Sequence, residues 1–416
     1  MKYVIIGNGV AGIQAAETIR RMDAEGEIAM IGDESFPPYC RPMISLVLEG
    51  AISPEKLAIR GEDFYEKLKI EPVLGSRVTG IDVDSGKVII DESGNGGRKR
   101  TFPYDKLLIA SGADARPIKA ENFELNNIFF MRHQGHVRGM LSTLKDAKTA
   151  LVLGGGLVGF KAAYGLMRRG LRVTMLIKSE YPLSMQVDEP AGRLILKELV
   201  GRGLDVRVGV EATAFEGFKS VSGAHLSDGS FLECDMVVVG KGVLPALSFA
   251  PKGRIKVDLG IMVDEHLETS CPGIFAAGDV AEYVDIARKT PWVNAIWPEA
   301  VSQGTIAGMN MAGRAVTYKG SLSRNVIRIF DADVMTCGLV NPPDDPSYEV
   351  VGHMNFRKGL YRKLVFKEDV LVGMAMVNDI EQGGLFVSLI QSETPVRLSK
   401  EAMLSPGFNY KQLLPF

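Results

Sequence analysis

The chain has 416 residues, of which 46% are hydrophobic and 24% charged, and its formal net charge is −2. This length exceeds what one hydrophobic core usually serves, so we expect two or three domains. The near-neutral charge argues against nucleic acid or a membrane surface as the partner, and no apolar run reaches the ~18 residues that a membrane span needs. The first residues lack the pattern of a signal peptide, so we expect a cytoplasmic protein.

The N-terminal residues predict a β-α-β unit with a glycine-rich turn. The stretch KYVIIGNGVAGIQAAETIRRM indicates a strand, a turn and a helix, and EIAMIGDE follows as a second buried strand. Gly7, Gly9 and Gly12 have the spacing G-x-G-x-x-G. In such a turn the first glycine makes the bend, the second lets the backbone approach a pyrophosphate, and the third lets the helix pack on the strand.

The same unit occurs a second time, in TALVLGGGLVGFKAAYGLMRRG and LRVTMLIKS, with Gly154, Gly156 and Gly159 at the same spacing. One isolated match would be weak, because such turns also join strands to helices without a nucleotide. Two complete copies predict two dinucleotide sites. The runs KLLIASGA, DMVVVGKG and GIFAAGDVA are further strands that end at glycine, as parallel strands do at a ligand crevice.

Beyond about Tyr318 the pattern changes to alternating segments such as RNVIRIF, YRKLVFKED and VLVGMAMVN, which predict a separate sheet domain. The insert ESGNGGRKR before Thr101 predicts a solvated hairpin tip. The four cysteines form no C-x-x-C pair, so neither a disulfide framework nor a metal site is expected.

These segments, taken in order, resemble the FAD-dependent pyridine-nucleotide reductases, a family that includes glutathione reductase, over essentially the full length. The resemblance depends on GNGVAG, YDKLLIASGADARP, GGGLVGF, TSCPGIFAAGDVAE and WPEAVSQGTIAGMNMAG. It is strongest to the branch of NAD(P)H:rubredoxin and ferredoxin reductases and nitrite reductase flavin modules. It implies an α/β fold with two Rossmann-like domains and a C-terminal α+β domain. The expected bounds are 1–113 with 245–318 for FAD, 114–244 for NAD(P)H and 319–416 for the C-terminal domain.

The resemblance assigns the first glycine turn to FAD. It implies that Asp33 or Glu34 accepts the adenosine ribose hydroxyls and that Asp279 holds the ribityl chain. Val78 would contact the adenine through its backbone, and Trp297 would lie beside the flavin. Alternatively, Asp279 is a helix N-cap and Trp297 a core or interface aromatic. The other expected FAD contacts are Gly7, Gly9, Val10, Ala11, Gly12, Arg41, Pro42, Ala110, Ser111, Gly112 and Gly278.

The resemblance assigns the second turn to NADPH or NADH. After the next strand, Ile177 stands where NAD enzymes usually carry an acid, and Lys178 follows it. This arrangement favours NADPH, or the use of both nucleotides, because an acid would repel a 2′-phosphate. Alternatively, Lys178 is a solvated loop residue, and Glu180 could reach the ribose. The other expected contacts are Gly154, Gly156, Leu157, Val158, Gly159, Gly240 and Gly242.

Two residues depart from the family pattern. Relatives commonly pair a lysine, in the loop that here ends MISL, with a glutamate after the second glycine turn, and here these positions are Leu46 and Lys161. That ion pair cannot form. Lys161 is then either a catalytic cation that stabilises negative charge on the reduced flavin, or a lysine that points to solvent.

The function implied by the resemblance is hydride transfer from NAD(P)H to FAD, followed by electron transfer to a rubredoxin, ferredoxin or other small iron–sulfur protein. The segment RKGLYRKLVFK could present a basic face to an acidic partner, or its alternating charges could belong to an exposed strand edge. No second cysteine follows Cys40 closely, which argues against a dithiol relay. Alternatives are a single-cysteine enzyme that uses Cys40, similar to CoA-disulfide reductases and NADH oxidases, and a non-catalytic flavoprotein sensor. A homodimer is a further expectation.

Overall fold

Short runs rich in Val, Ile and Leu become buried strands, and runs rich in Ala and Leu become helices. The computed structural model describes residues 1–91, 99–405 and 407–413. Its strands are β1 (Lys2–Ile6), β2 (Glu27–Gly32), β3 (Ile70–Leu74), β4 (Arg77–Asp82), β5 (Lys87–Asp91), β6 (Lys99–Pro103), β7 (Lys106–Ile109), β8 (Ala113–Ala115), β9 (Ile128–Phe130), β10 (Thr149–Leu153), β11 (Arg172–Ile177), β12 (Asp205–Val208), β13 (Ala212–Gly217), β14 (Val221–Leu226), β15 (Phe231–Glu233), β16 (Met236–Val239), β17 (Val243–Pro245), β18 (Ile261–Met262), β19 (Ile274–Ala276), β20 (Ala281–Val284), β21 (Pro291–Trp292), β22 (Arg324–Ile329), β23 (Ala332–Gly338), β24 (Tyr348–Asn355), β25 (Leu360–Lys367) and β26 (Val370–Val377). Its α-helices are α1 (Val10–Met22), α2 (Ile44–Glu49), α3 (Phe64–Lys67), α4 (Gln134–Thr143), α5 (Leu157–Arg168), α6 (Glu189–Gly201), α7 (Trp297–Met311) and α8 (Gly383–Ser392).

The residues group into two units. The first consists of Met1–Pro42, Glu55–Asp114 and Leu244–Leu322, and the second of Met43–Pro54, Ala115–Val243 and Ser323–Phe416. The second unit thus contains both the segment predicted to bind NAD(P)H and the predicted C-terminal domain. The three-domain division drawn from the sequence stays a prediction.

In the first unit a parallel sheet has the order β19-β7-β1-β2-β3, and β4, β5 and β6 form an antiparallel sheet. Helix α1 follows the central strand β1 and packs on α7 through backbone. A Cβ at Gly304 would lie 2.2 Å from the Ala11 carbonyl oxygen, and one at Gly308 would lie 2.8 Å from that of Ala15. Both contacts advance by four residues, so the two helices run parallel and their N-termini point the same way.

In the second unit the order is β12-β11-β10-β16-β9, again with parallel pairing throughout. Helix α5 follows the central strand β10, and the antiparallel strands β13, β14 and β15 form a separate sheet, as β4 to β6 do in the first unit. The repeated β-α-β unit predicted from the sequence is therefore confirmed, together with the sheet around each copy.

The C-terminal residues of the second unit form an antiparallel sheet of order β22-β23-β26-β25-β24. Arg362 on β25 is 2% exposed and donates to Asp379 Oδ2 at 2.7 Å and to Gln382 Oε1 at 2.6 Å. Lys363 is also buried, and its Nζ lies 3.0 Å from Asp188 Oδ2. The prediction that RKGLYRKLVFK presents a basic face is therefore wrong for these two residues, because both cations form internal ion pairs.

Strands β5 and β6 pair with Asp91 opposite Lys99. In the insert predicted as a hairpin tip, Lys99 and Arg100 belong to β6, and the other residues, 92–98, lie outside the described residues. Among the residues that are described, no helix combines the length and apolar character that a membrane crossing requires.

Candidate functional site

The first glycine turn joins β1 to α1 at the carboxyl edge of the first sheet. Gly7 has a φ of +119°, and a Cβ there would lie 2.0 Å from the Ala110 carbonyl oxygen. A Cβ at Gly12 would lie 2.0 Å from the Gly7 carbonyl oxygen. Gly9 is the N-cap of α1, and no described atom lies within 4 Å of its Cβ position. The turn is thus closed at Gly7 and Gly12 but open at Gly9, which is the cradle that a pyrophosphate needs at a helix N-terminus.

The second turn repeats this geometry between β10 and α5. Gly154 has a φ of +111°, and its Cβ position is 2.6 Å from the Gly240 carbonyl oxygen. The Cβ position of Gly159 is 2.0 Å from the Gly154 carbonyl oxygen, while Gly156, the N-cap of α5, has no described atom within 4 Å. A second open cradle follows. The other residues predicted at the two turns, Val10, Ala11, Leu157 and Val158, lie in the first turns of α1 and α5.

A pocket opens beside the first glycine turn, within the first unit. Asp33 is exposed after β2, where a dinucleotide fold places the acid that binds ribose. Arg77, Asp114 and Phe249, none of which was predicted to contact FAD, line the same pocket from three separate segments. Four lining residues were predicted to contact FAD: Gly7, Asp33, Val78 and Ser111.

Glu34, the other candidate for the ribose, is bound to neighbouring side chains. Its Oε1 lies 2.6 Å from Arg41 Nη2, and its Oε2 accepts from the Tyr39 hydroxyl at 2.8 Å. Burial opposes the charge on Arg41, but Tyr39, Glu34 and Asp279 together hold the guanidinium pKa above its ordinary value. The structure thus separates the two acids: Asp33 lines the pocket, whereas Glu34 orients the Arg41 cation.

The loop predicted to contact FAD, Ala110 to Gly112, follows β7 directly. Ser111 Oγ donates to the Ala246 carbonyl oxygen at 3.0 Å, and the Ala246 N–H donates to the Gly112 carbonyl oxygen at 3.0 Å. Gly112 has a φ of +72°, a conformation that favours glycine. These bonds fix the loop beside Gly7, whose turn contacts Ala110.

Gly278 and Asp279 lie in the turn between β19 and β20. The Gly278 N–H donates to Gln303 Oε1 on α7 at 2.7 Å, which ties this turn to the helix. No helix begins at Asp279 in the described chain, so its interpretation as an N-cap is wrong. Trp297 is half-buried and is the first residue of α7, with Pro298 next to it in the first turn.

At the carboxyl edge of the second sheet, Lys178 belongs to an ion-pair cluster with Glu211 and Lys241. Its Nζ lies 3.0 Å from Glu211 Oε2, and the Nζ of Lys241 lies 2.7 Å from Glu211 Oε1. Hydrogen bonding to Lys241, with a further contribution from Lys178, lowers the pKa of the Glu211 carboxyl. Gly240 and Gly242 flank Lys241, and Gly242 has a φ of +88°. No motif signals Glu211, because only the fold brings it to Lys178.

The two segments that depart from the family pattern pack together in the second unit. Helix α2 carries Leu46, and Arg169, the C-cap of α5, donates from Nε to the Leu48 carbonyl oxygen at 2.7 Å. Gly165 on α5 allows close contact, since its Cβ position is 3.2 Å from Leu48 Cγ. Lys161 is exposed on α5.

All four cysteines are free thiols, and only Cys40 is partly exposed. The Cys40 N–H donates to the Leu57 carbonyl oxygen at 2.8 Å, and Arg41 and Pro42 follow in a short 3₁₀ turn. Cys234, Cys271 and Cys337 are buried. Within the described ranges, no group of three or more His, Cys, Asp or Glu residues could hold a metal ion.

Known proteins share this architecture. The chain is 28% identical over 407 residues to the assimilatory nitrate reductase electron transfer subunit of Bacillus subtilis, across 97% of this chain and 51% of that protein. It is 28% identical to the NADH-rubredoxin oxidoreductase of Clostridium acetobutylicum, across 94% of each. The crystal structure of a covalent putidaredoxin reductase–putidaredoxin complex superposes with a TM-score of 0.85 at 25% identity, covering 95% of this chain and 94% of that one.

The chain spans about half the length of the two Bacillus subtilis relatives that it matches, at 51% and 49%. Residues 324–394 match the rubredoxin NAD⁺ reductase C-terminal domain. Residues 1–304 match the pyridine nucleotide-disulphide oxidoreductase family. The resemblance drawn from the motifs is therefore confirmed, and the chain belongs to the pyridine nucleotide-disulphide oxidoreductase family.

Proposed function

We propose that this chain is an FAD-dependent NAD(P)H oxidoreductase that passes electrons to a small iron–sulfur carrier protein, such as a rubredoxin or ferredoxin. The observation that carries the proposal is the pair of open glycine cradles, Gly9 and Gly156, each at the N-cap of a helix on a parallel sheet. Two cradles suit two dinucleotides. Bound FAD supplies the chemistry, because it accepts a hydride from NAD(P)H and can release the two electrons one at a time.

The first unit fits FAD by shape and charge. The N–H groups at the start of α1 face the open space at Gly9, where they would donate to a pyrophosphate. The parallel helix α7 points its positive end the same way, which also favours an anionic ligand. Asp33 would accept hydrogen bonds from ribose hydroxyls, and Asp279 from the ribityl chain. Arg41 stays charged beside Glu34 and would offset phosphate charge.

The second unit would hold NAD(P)H in the same manner, with its pyrophosphate at Gly156 and the start of α5. The loop after β11 supports that turn, because the Leu183 N–H donates to the Gly155 carbonyl oxygen at 2.8 Å. Lys161 is the cation that we assign to assisting hydride transfer.

The acceptor is inferred from relatives and from the thiols. The NADH-rubredoxin oxidoreductase of Clostridium acetobutylicum aligns over 94% of both chains. Residues 324–394 also match the C-terminal domain of rubredoxin NAD⁺ reductases. Cys40 is the one partly exposed cysteine, which does not support a dithiol relay. A cytoplasmic location and a homodimer stay predictions, to be checked by cell fractionation and by light scattering.

The test is anaerobic mixing of the FAD-loaded protein with NADH or NADPH, followed by rubredoxin, ferredoxin, CoA disulfide or oxygen. We expect rapid loss of the visible flavin absorbance and then turnover with an iron–sulfur protein at least about ten-fold faster than with CoA disulfide or oxygen. Faster turnover with CoA disulfide would favour the single-cysteine enzyme instead. No bleaching by either nucleotide would favour the non-catalytic sensor.

A further inference from the structure

We propose that Glu211 determines the nucleotide preference of the second site and makes it favour NADH over NADPH. This inference rests on the proposed NAD(P)H site and concerns a residue that no nucleotide motif contains. The sequence around Lys178 by itself favours the opposite nucleotide, so the two expectations are distinguishable.

The backbone places Glu211 at the end of β11. Strand β12 pairs with β11. After the end of β12, the Gly209 N–H donates to the Ser179 carbonyl oxygen at 3.4 Å, and the Val210 N–H donates to the Ile177 carbonyl oxygen at 3.3 Å. Ile177 itself is 2% exposed and packs under the glycine turn, where a Cβ at Gly155 would lie 2.7 Å from its Cδ1. The acid absent from β11 is thus supplied by the connection that follows the neighbouring strand β12.

Glu211 also spans the edge where a nucleotide ribose would bind. Lys178 follows β11 and Lys241 follows β16, and these strands flank β10, which leads into the second glycine turn. One carboxylate contacts both lysines, Lys178 at 3.0 Å and Lys241 at 2.7 Å. The Glu211 side chain is itself about one third exposed, at 31%, so a ligand can reach it.

The charges then discriminate between the two nucleotides. The 2′-phosphate of NADPH needs cations, and Glu211 weakens that attraction because its carboxylate offsets one of the two lysine charges, engages both ammonium groups and would itself repel the phosphate. The ribose hydroxyls of NADH can instead donate to that carboxylate, as they do to the acid of other NAD sites. Depression of the Glu211 pKa keeps the group anionic at neutral pH.

The decisive experiment compares the binding of adenosine 2′,5′-bisphosphate and of 5′-AMP to the FAD-loaded protein by calorimetry, since these probes differ only in the 2′-phosphate. Wild type should bind 5′-AMP at least as well as the bisphosphate, and should show a higher kcat/KM for NADH than for NADPH. In Glu211→Gln and Glu211→Ala, the bisphosphate affinity should rise about five-fold or more, with a matching rise in the NADPH to NADH ratio of kcat/KM.

Three further variants isolate the cause. Lys178→Ala in the Glu211→Gln background should abolish the gain, because the freed lysine provides it. Glu233→Gln removes an exposed carboxylate from the same unit and should leave the ratio unchanged. An equal gain in that variant would reduce the effect to net charge, and a gain in Glu180→Gln alone would assign the role to Glu180. A wild type that prefers NADPH, or an unchanged ratio in both Glu211 variants, would overturn the proposal. Absence of flavin bleaching by both nucleotides would instead overturn the proposed function, and the calorimetry would still test Glu211.

Discussion

The two glycine turns have nearly the same backbone conformation, but the charged residues at the sheet edge beside each turn differ. In each turn the first glycine has a φ above +100°, at +119° and +111°, and in each the middle glycine opens to empty space at a helix N-cap. The residues that follow the next strand differ in charge: Asp33 lines the first pocket, whereas Lys178 pairs with Glu211 in the second unit. In the proposed assignment, the glycine turn would hold the pyrophosphate of either dinucleotide, and the charged residues at the end of the next strand would select which dinucleotide binds.

The helices that follow the two turns differ in the same way. The second residue after the third glycine is Gln14 in α1 and Lys161 in α5. Gln14 is half-buried and its Nε2 donates to Glu17 Oε2 at 3.4 Å, an intrahelical contact, whereas Lys161 is exposed. This difference agrees with the proposed roles, in which the first turn binds FAD and Lys161, after the second turn, assists hydride transfer.

The largest expected effect separates the two cradles. We expect Gly9→Val to lower the FAD content about ten-fold or more, because its side chain would occupy the pyrophosphate position. We expect Gly156→Val to keep FAD but weaken NAD(P)H binding by about ten-fold or more for the same reason. Flavin absorbance per chain and the nucleotide dependence of bleaching measure the two losses.

Each of these variants controls the other, since the chemical change is the same. Both glycines have negative φ, −88° and −99°, and open space, so neither change should move the unfolding midpoint of the apoprotein by more than about 3 °C. Full FAD retention in Gly9→Val would contradict the assignment of the first turn, and loss of FAD in Gly156→Val would contradict that of the second.

A smaller effect is expected when α5 is made to resemble α1. Lys161→Gln should slow bleaching by saturating NAD(P)H by about ten-fold, because the site loses a cation that favours the reduced flavin. The flavin reduction potential should fall as well, which a solvent-exposed lysine without contact to the site would not cause. Lys219→Gln, at an exposed position of the same unit, is the matched control, and equal rates in both variants would return Lys161 to a solvent role.

The smallest effect is expected at Cys40, which neither glycine turn involves. Cys40→Ser should reduce an iron–sulfur acceptor within about two-fold of the wild-type rate, because one partly exposed thiol cannot form a dithiol relay. Steady-state turnover with rubredoxin or ferredoxin, at equal flavin content, measures this. Loss of turnover in Cys40→Ser would show that the thiol carries the electrons, and would support the single-cysteine alternative.

Local sequence determined the parts of this protein that depend on local backbone geometry. The turn requires a positive φ at positions 7 and 154 and leaves no room for a side chain at positions 12 and 159. Glycine meets both requirements, so the spacing of the glycines predicts the turn. Short apolar runs predicted the parallel strands, since a strand buried on both faces has almost no polar alternation. The resemblance then named the family correctly.

Only the tertiary structure decided which charged groups meet. Glu211 contacts Lys178 because β12 pairs with β11. In the first unit, Arg41 forms an ion pair with Glu34, whereas Asp33 lines the pocket. The two central cations of RKGLYRKLVFK looked solvent-facing in the sequence, yet Arg362 and Lys363 are buried against acids from other segments. Ion pairs join residues far apart in the chain and act over a few ångströms, so their partners follow from the packing of strands and not from the spacing of residues.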